Sequence, residues 1–538
     1  MGDNLVYAVR ASTGVSLKRG LSKDPVTIFN QTSSKEISCN VFAYSNNGQL
    51  FAYCDNQITR CFEISTGRQI LSVELKRTRK LVFSPKDTHL FVFEPYTIYG
   101  KKQEGQKPED NLSVFSLVDG GKMVAKLKAP NEANWDVQVT DDESLAARIV
   151  GSEILIYTNM NFERYEYKFV EKGIQGFSLS PGGAPYHIGV YTPAEGNNPA
   201  RVKVFRVTPS FPAVANRTFF KSDKAVITWN QKGNALLILA SVEVDKTNQS
   251  YYGEQSLFLI NIQTEESTIV PLAKQGPIYS AKWNPNGKEF AVCYGHMPAK
   301  VTFYNPKGIP IFECPDGPRN DIFYNAFGNI ILKKEIIAIE VPNTTLFEWA
   351  PDGQHFVTCT TAPRLRIDNS YRFWHYTGRM IHEVQYDSPK EELWEVRWRP
   401  MSGYNKFEIK ELSKTDKMAA GLPIRKKDAS HPLNNVPAGA VKAAGAYVPP
   451  HLRKSGGPAT SGPPRPGQKS APQNGNSAQA IRPQQTEVER KLMQLRKKVE
   501  DIAILKTRVA NGDQLQPNQL EKIKKEEEFL AEIQKLTI

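Results

Sequence analysis

Cysteine is scarce and unpatterned. The chain has six in 538 residues, none at C-x-x-C spacing and most inside strand-like apolar runs. That argues against thiolate metal sites and a disulfide framework, and fits reduced core residues of a cytosolic protein. Long apolar runs are missing as well. No stretch approaches the 18 residues of a membrane-spanning helix. The opening MGDNLVYAVRAS lacks the apolar run of a signal peptide. Without secretion, sequons such as Asn216-Arg217-Thr218 carry little meaning.

Catalytic signatures are absent too. Gly176-Phe177-Ser178-Leu179-Ser180 ends in Ser, so no G-x-S-x-G elbow exists. His382-Glu383 has no second His four residues after the first. Gly287-Lys288 is not a phosphate loop, and no G-x-G-x-x-G opens a helix. The eight His are scattered, with no Cys or carboxylate at ligand spacing. The expectation is a protein that is not an enzyme and uses no cofactor or metal.

What the chain does have is positive charge, unevenly placed. The formal net charge is +13. Residues 401–538 hold 24 Lys or Arg against 14 Asp or Glu, and within them 401–486 holds 13 against 4. A basic tail on a near-neutral body favours polyanion partners such as RNA, although a solubilising linker has the same composition.

It also has a repeat. An apolar strand meets a small polar turn, often with Pro and then Gly or Asp, and a second apolar strand follows. Clear copies include NVFAYSNNGQLFAYC (40–54), KLVFSPKDTHLFVF (80–93), SAKWNPNGKEFAVCYG (280–295) and LFEWAPDGQHFVTCT (346–360). Two further strands usually follow each copy, as ITRCFEIS and RQILSVEL do after Cys54. Four short antiparallel strands per unit describe a propeller blade, and one blade cannot bury its faces alone. First strands start near 38, 80, 135, 176, 226, 279, 322, 346 and 393. The last lacks partners, while LVYAVRA, VSLKR and PVTIF between residues 4 and 31 lack a first strand. Ring closure joins these orphans and removes two exposed edges; the alternative is two separate sandwiches. The step from 322 to 346 is only 24 residues. Blade seven is therefore expected to be truncated to two inner strands, Ile322–Asn325 and Asn329–Ile339.

The domain reading is a propeller over 1–412, a disordered basic Pro/Gly-rich linker over 413–485, and a helical hairpin over 486–538. The linker contains SGGPATSGPPRPGQKSAPQNGNSAQA, which cannot bury a core. It also contains AYVPPHLRK (446–454), either a linear motif or a chance Pro-rich patch. In the hairpin, Val488, Leu492, Leu495, Val499, Ile502, Leu505 and Val509 form one stripe. Asn511-Gly512 stops that helix, and Leu520, Ile523, Leu530, Ile533 and Leu536 line the next. Packing of the stripes on each other is the simplest use; docking through Leu495, Val499, Ile523 and Leu530 is the functional one.

Candidate RNA or ribosome contacts are basic. Lys76, Arg77, Arg79 and Lys80 lie where blade one passes to blade two, and Arg364 and Arg366 lie in a loop of blade eight. Arg425, Lys426, Lys427, Arg453 and Lys454 lie in the linker. The two ring positions should share a face, as local spots on a face whose long loops sum to near zero charge. The neighbouring aromatics Phe373, Trp374 and Tyr376 suit blade packing better than base stacking.

The strings VDKTNQSYYGEQ (244–255), GHMPAKVTFYN (295–305), GPRNDIFY (317–324), APRLRIDNSYRFWHYTG (362–378) and NGDQLQPNQLEKI (511–523) resemble those of the eukaryotic translation initiation factor 2A family, over nearly the whole chain. The hairpin also looks like the ribosome-binding end of the partner of Y14 and mago. The resemblance implies an all-β, nine-bladed WD-type propeller and a cytoplasmic initiation factor. It implies binding of initiator methionyl-tRNA and the small ribosomal subunit without GTP, on selected mRNAs, with other initiation factors as further partners. It brings no catalytic residues and no membrane. The departure is blade seven, where the family is longer between Ile331 and Thr345. The competing readings are a propeller scaffold within a multi-protein complex, like the nine-bladed component of initiation factor 3, and a generic WD scaffold. The former would carry an N-terminal RNA-recognition domain for which this sequence has no room before blade one.

Overall fold

The structure is a computed structural model that describes residues 2–34, 37–98, 106–219, 222–242, 254–325, 327–328, 336–386, 391–405, 407, 412 and 502. The chain divides into two compact units, Met1–His431 and Pro432–Ile538. Of the second, only Ile502 is described, helical and buried. The linker and the stripes of the expected hairpin otherwise lie outside the described residues.

The described part of the first unit is built almost wholly of strands, in eight four-stranded antiparallel sheets. Seven are consecutive in sequence and are named by their span: 41–73, 80–127, 138–170, 176–219, 224–269, 278–313 and 346–385. Each begins with the apolar strand–turn–strand of the repeat. The turns need a positive φ that a Cβ resists. At Gly287 (φ 67°) and Gly353 (φ 69°) glycine supplies it, and the amide of each donates to the carbonyl three residues earlier, Asn284 at 2.8 Å and Ala350 at 3.0 Å.

The eighth sheet joins the chain ends. Its order is Val26–Thr32, Gly14–Arg19, Val6–Ala11 and Leu393–Trp398. Tyr7 pairs with Trp398 and Val9 with Val396, so the orphan strands do complete one sheet. Its two faces serve both neighbours. Leu5, Tyr7 and Val9 pack with Val357, Tyr371 and Phe373. Ala8, Val15 and Leu17 pack with Phe42 and Phe51. Comparable buried clusters join each other sequential pair of sheets from 41–73 to 278–313.

The stretch expected to be blade seven differs. Ile322–Asn325 is described and is not a strand, and neither is 336–345; the expected strand pair is corrected accordingly. The residues have strand propensity, but pairing requires a return segment in register, and Ile336–Ile339 does not pair with Ile322–Asn325. The hairpin turn is formed although Ile322–Asn325 is not a strand. The Gly328 amide donates to the Asn325 carbonyl at 3.0 Å with Gly328 at φ 57°, the arrangement of Gly287 and Gly353.

That turn is wired into the ring. Asn284 Nδ2 donates to the Gly328 carbonyl at 2.9 Å, and Asn325 Nδ2 to the Gly353 carbonyl at 3.4 Å. Trp349 Nε1 donates to the Phe323 carbonyl at 3.2 Å. These links repeat those between complete sheets, where Trp229 reaches the Ser178 carbonyl, Trp283 that of Thr228 and Trp398 that of Glu348. Arg399 Nε donates to the Gly48 carbonyl and carries the chain of links past the closing sheet.

Candidate nucleic-acid interface

The loop between Gln69–Val73 and Lys80–Phe83 is shaped by a buried threonine. Thr78 is fully buried. Its hydroxyl lies 2.8 Å from that of Thr59 and 3.1 Å from the Leu75 carbonyl. Pinning Thr78 inward turns its neighbours out, and Lys76, Arg77, Arg79 and Lys80 are all exposed. The Arg77 amide donates to Glu94 Oε1 at 3.0 Å, and the Arg79 amide to the Phe93 carbonyl at 2.9 Å. Lys76, Arg79 and Lys80 have no carboxylate within 4.0 Å among the described residues. Lys76, Arg77 and Arg79 line a cleft of about 490 Å³ with Asn40, Asn56 and Pro95, and among the described residues no acidic side chain lines it. The adjoining cleft of about 400 Å³ mixes Lys76, Arg77, Lys107 and Lys126 with Glu74, Glu94, Glu109 and Asp110. Of the two, the first is the better anion receptor.

Arg364 and Arg366 lie between the strands His355–Thr360 and Ser370–His375, and both are exposed. Arg366 is partly neutralised by Glu392 at 3.0 Å. Nothing in the local sequence shows that pair; only the fold brings residue 392 to the loop. Strands alternate in direction, so the connection into an innermost strand and the connection between second and third strands emerge at the same edge of the ring. The two basic spots therefore emerge on the same face, as the spacing predicts. The aromatics beside Arg366 are packing residues. Phe373 is fully buried, and Trp374 Nε1 donates to Thr358 Oγ1 at 2.9 Å.

One feature of this face escapes sequence reading. Arg10, in the N-terminal strand, lies 5.4 Å over the Trp394 ring and pairs with Glu395 at 3.3 Å. Its signal is present only once the ends are known to pair. Arg425, Lys426, Lys427, Arg453, Lys454 and the apolar Leu495, Val499, Ile523 and Leu530 lie outside the described residues. Among the described residues no helix is long and apolar enough to cross a membrane.

Known proteins account for this arrangement. A family model described as eukaryotic translation initiation factor eIF2A matches residues 217–396. A Caenorhabditis elegans relative, "Eukaryotic translation initiation factor 2A", is 69% identical over 100% of both chains. The chain belongs to the eukaryotic translation initiation factor 2A family. It is a translation initiation factor. Its alignment with the nematode relative runs to 572 positions against 538 residues here, so the relative has residues that this chain lacks. A solved structure titled "Crystal structure of the eukaryotic initiation factor" superposes with a TM-score of 0.65 at 28% identity, covering 74% of this chain and 99% of that one. A more distant relative, a component of eukaryotic translation initiation factor 3 from Xenopus laevis, is 24% identical over 64% of this chain and 52% of its own length.

Proposed function

We propose that this factor binds initiator methionyl-tRNA and the small ribosomal subunit without GTP, on selected mRNAs, in the cytoplasm. The observation that carries the reading is full-length identity of 69% to a named member of the family. The distant match to the initiation factor 3 component covers only part of either chain and favours shared propeller ancestry over a scaffold role. In this reading the ring has nine WD-type positions, eight filled by sheets and the seventh by the turn at 325–328. The ring is rigid and carries no catalysis. Residues 401–486 supply most of the RNA affinity through charge, with Arg425, Lys426, Lys427, Arg453 and Lys454 among the contacts. Lys76, Arg77, Arg79, Lys80, Arg364 and Arg366 add local contacts on one face. The hairpin over 486–538, with 11 basic and 10 acidic residues from 487 onward, docks on the ribosome by shape and apolar contact.

Cosedimentation with purified small subunits and labelled initiator tRNA tests this. The complex should form without GTP and fall apart steeply with salt. Leu495→Asp and Ile523→Asp should each release it with the ring's melting temperature unchanged. Equal retention of an elongator tRNA, or a strict need for GTP, would overturn the reading.

A further inference from the structure

One tryptophan stands apart from the other six. Trp229, Trp283, Trp349 and Trp398 each donate Nε1 to a carbonyl of the preceding ring position. Trp374 bonds Thr358 within its own sheet, and Trp135 packs on Phe93 with ring centroids 5.0 Å apart. Trp394 does none of these. In the closing sheet Arg10 pairs with Glu395 and Ala11 with Leu393, so Trp394 is the extra residue of a β-bulge. A bulge takes a side chain out of the alternation of its strand and re-aims it. Here the indole is half-buried, near the start of an innermost strand, on the face that carries both basic spots.

The indole is also held in place. Its Nε1 donates to Glu392 Oε2 at 3.0 Å, and the other oxygen of Glu392 pairs with Arg366 at 3.0 Å. The Arg10 guanidinium lies 5.4 Å from the ring centroid and pairs with Glu395 at 3.3 Å. A fixed aromatic between arginines suits a nucleobase, since every base offers a π face. Charge alone would do little at this spot, because Asp368 and Glu391 are exposed in the loops that carry Arg366 and Glu392. The cleft at Lys76, Arg77 and Arg79 continues the route. Asn40 lines it, and the adjacent Cys39 shares a buried cluster with Ala8, on the strand of Arg10. Gln31 of the closing sheet donates to Asp55 at 3.0 Å, beside Asn56 of the cleft. The closing sheet packs on both the 346–385 and the 41–73 sheets, so the route crosses two inter-sheet steps of about 10 Å each. We infer that an unpaired RNA strand follows this route, from Arg364 and Arg366 to the cleft at Lys76 and Arg79, with one base stacked on Trp394. The inference rests on the reading of the chain as an RNA-binding factor.

Titration of the full chain with an unstructured oligo-uridine of about 16 nucleotides, over a series of salt concentrations, tests this. Trp394→Leu should weaken binding about tenfold at every salt concentration with the slope unchanged, because stacking releases no counterions. Trp394→Phe keeps a π face and loses the Glu392 hydrogen bond, and should stay within about threefold of the unmodified chain. Thiouridine in the same oligonucleotide should crosslink within Leu393–Trp398. Equal losses in the Leu and Phe variants would overturn the inference, since Trp394 would then only hold Glu392. So would crosslinks confined to the linker, or binding indifferent to Trp394→Leu, both of which leave the RNA-binding reading intact. A full chain that binds no RNA overturns both. Loss of small-subunit retention in Trp394→Leu, with oligo-uridine affinity unchanged, would assign the indole to a protein contact and exclude the RNA strand.

Discussion

The closing sheet and the seventh position solve one problem in opposite ways. Both must carry the ring across a place where no self-contained four-strand unit is available. At the closing sheet the N-terminal strands and Leu393–Trp398 supply a full ladder: Tyr7 pairs with Trp398 across the whole ring, and both faces are buried. At the seventh position there is no ladder among the described residues, only a turn held by Asn284, Asn325 and Trp349. Continuity of the inner rim therefore needs far less than a blade. Beside this turn, Phe347 and Phe356 line an apolar groove.

The largest way to break this contrast is at the closing sheet. Deleting residues 1–31 removes Leu5, Tyr7, Val9, Val15 and Leu17, all buried. At about 1.5–3 kcal/mol per buried apolar side chain the ring loses about as much as a typical domain's whole stability. We expect either no folded ring or a single transition lowered by about 5–10 °C or more in a thermal melt. A melt like that of the full chain would mean the ends do not close the ring.

Much of this was legible beforehand, for reasons that differ by place. The Pro-Asn-Gly and Pro-Asp-Gly turns announce themselves because few residues accept their φ angles. Closure is readable because three strands near residue 4 lack a partner and one near 393 lacks three. Ile322–Asn325 carries a strand's local pattern, but among the described residues no segment pairs with it. Arg366 looked like an open cation because Glu392, its partner at 3.0 Å, is distant in sequence. Candidate contacts in the linker depend on charge alone, which fixes no geometry.

Next in size is the wiring of the seventh position. Asn284 is fully buried and bonds the Gly328 carbonyl at 2.9 Å and Glu289 at 2.8 Å. Asn284→Ala leaves both acceptors short of a donor and should cost about 2 kcal/mol in a denaturant titration. A cost near zero would mean the turn is not coupled to its neighbours.

A pH dependence sharpens the comparison at the border of the closing sheet. Glu348 accepts from the Trp398 amide at 3.1 Å. Burial pushes its carboxyl up to about 7, with Arg397 and the Trp398 amide pulling the other way. A raised carboxyl means the folded ring holds a proton more tightly than the unfolded chain. Stability should then fall as pH rises from about 4.5 to about 7. Glu348→Gln should remove that fall and stabilise the ring above pH 7 by about 1–2 kcal/mol. An unchanged pH profile in the variant would assign the dependence elsewhere.

The smallest expected effect on stability is at the basic loop. Replacing Lys76, Arg79 and Lys80 with Ser should change stability by less than about 0.5 kcal/mol, since all three are exposed. It should lower the salt slope of RNA binding by about 2. An intact slope would remove the loop from the interface.

Hydrogen exchange resolved by sheet tests most directly whether the ring is one continuous unit. The slowest amides of the 278–313 and 346–385 sheets flank the seventh position, and those of the 41–73 sheet lie beside the closing sheet. A ring that is continuous through the turn at 325–328 opens only globally, so all three sets should report the same opening free energy. A clearly lower value in the 278–313 and 346–385 sheets, with the 41–73 sheet unaffected, would show that the ring is broken at the seventh position.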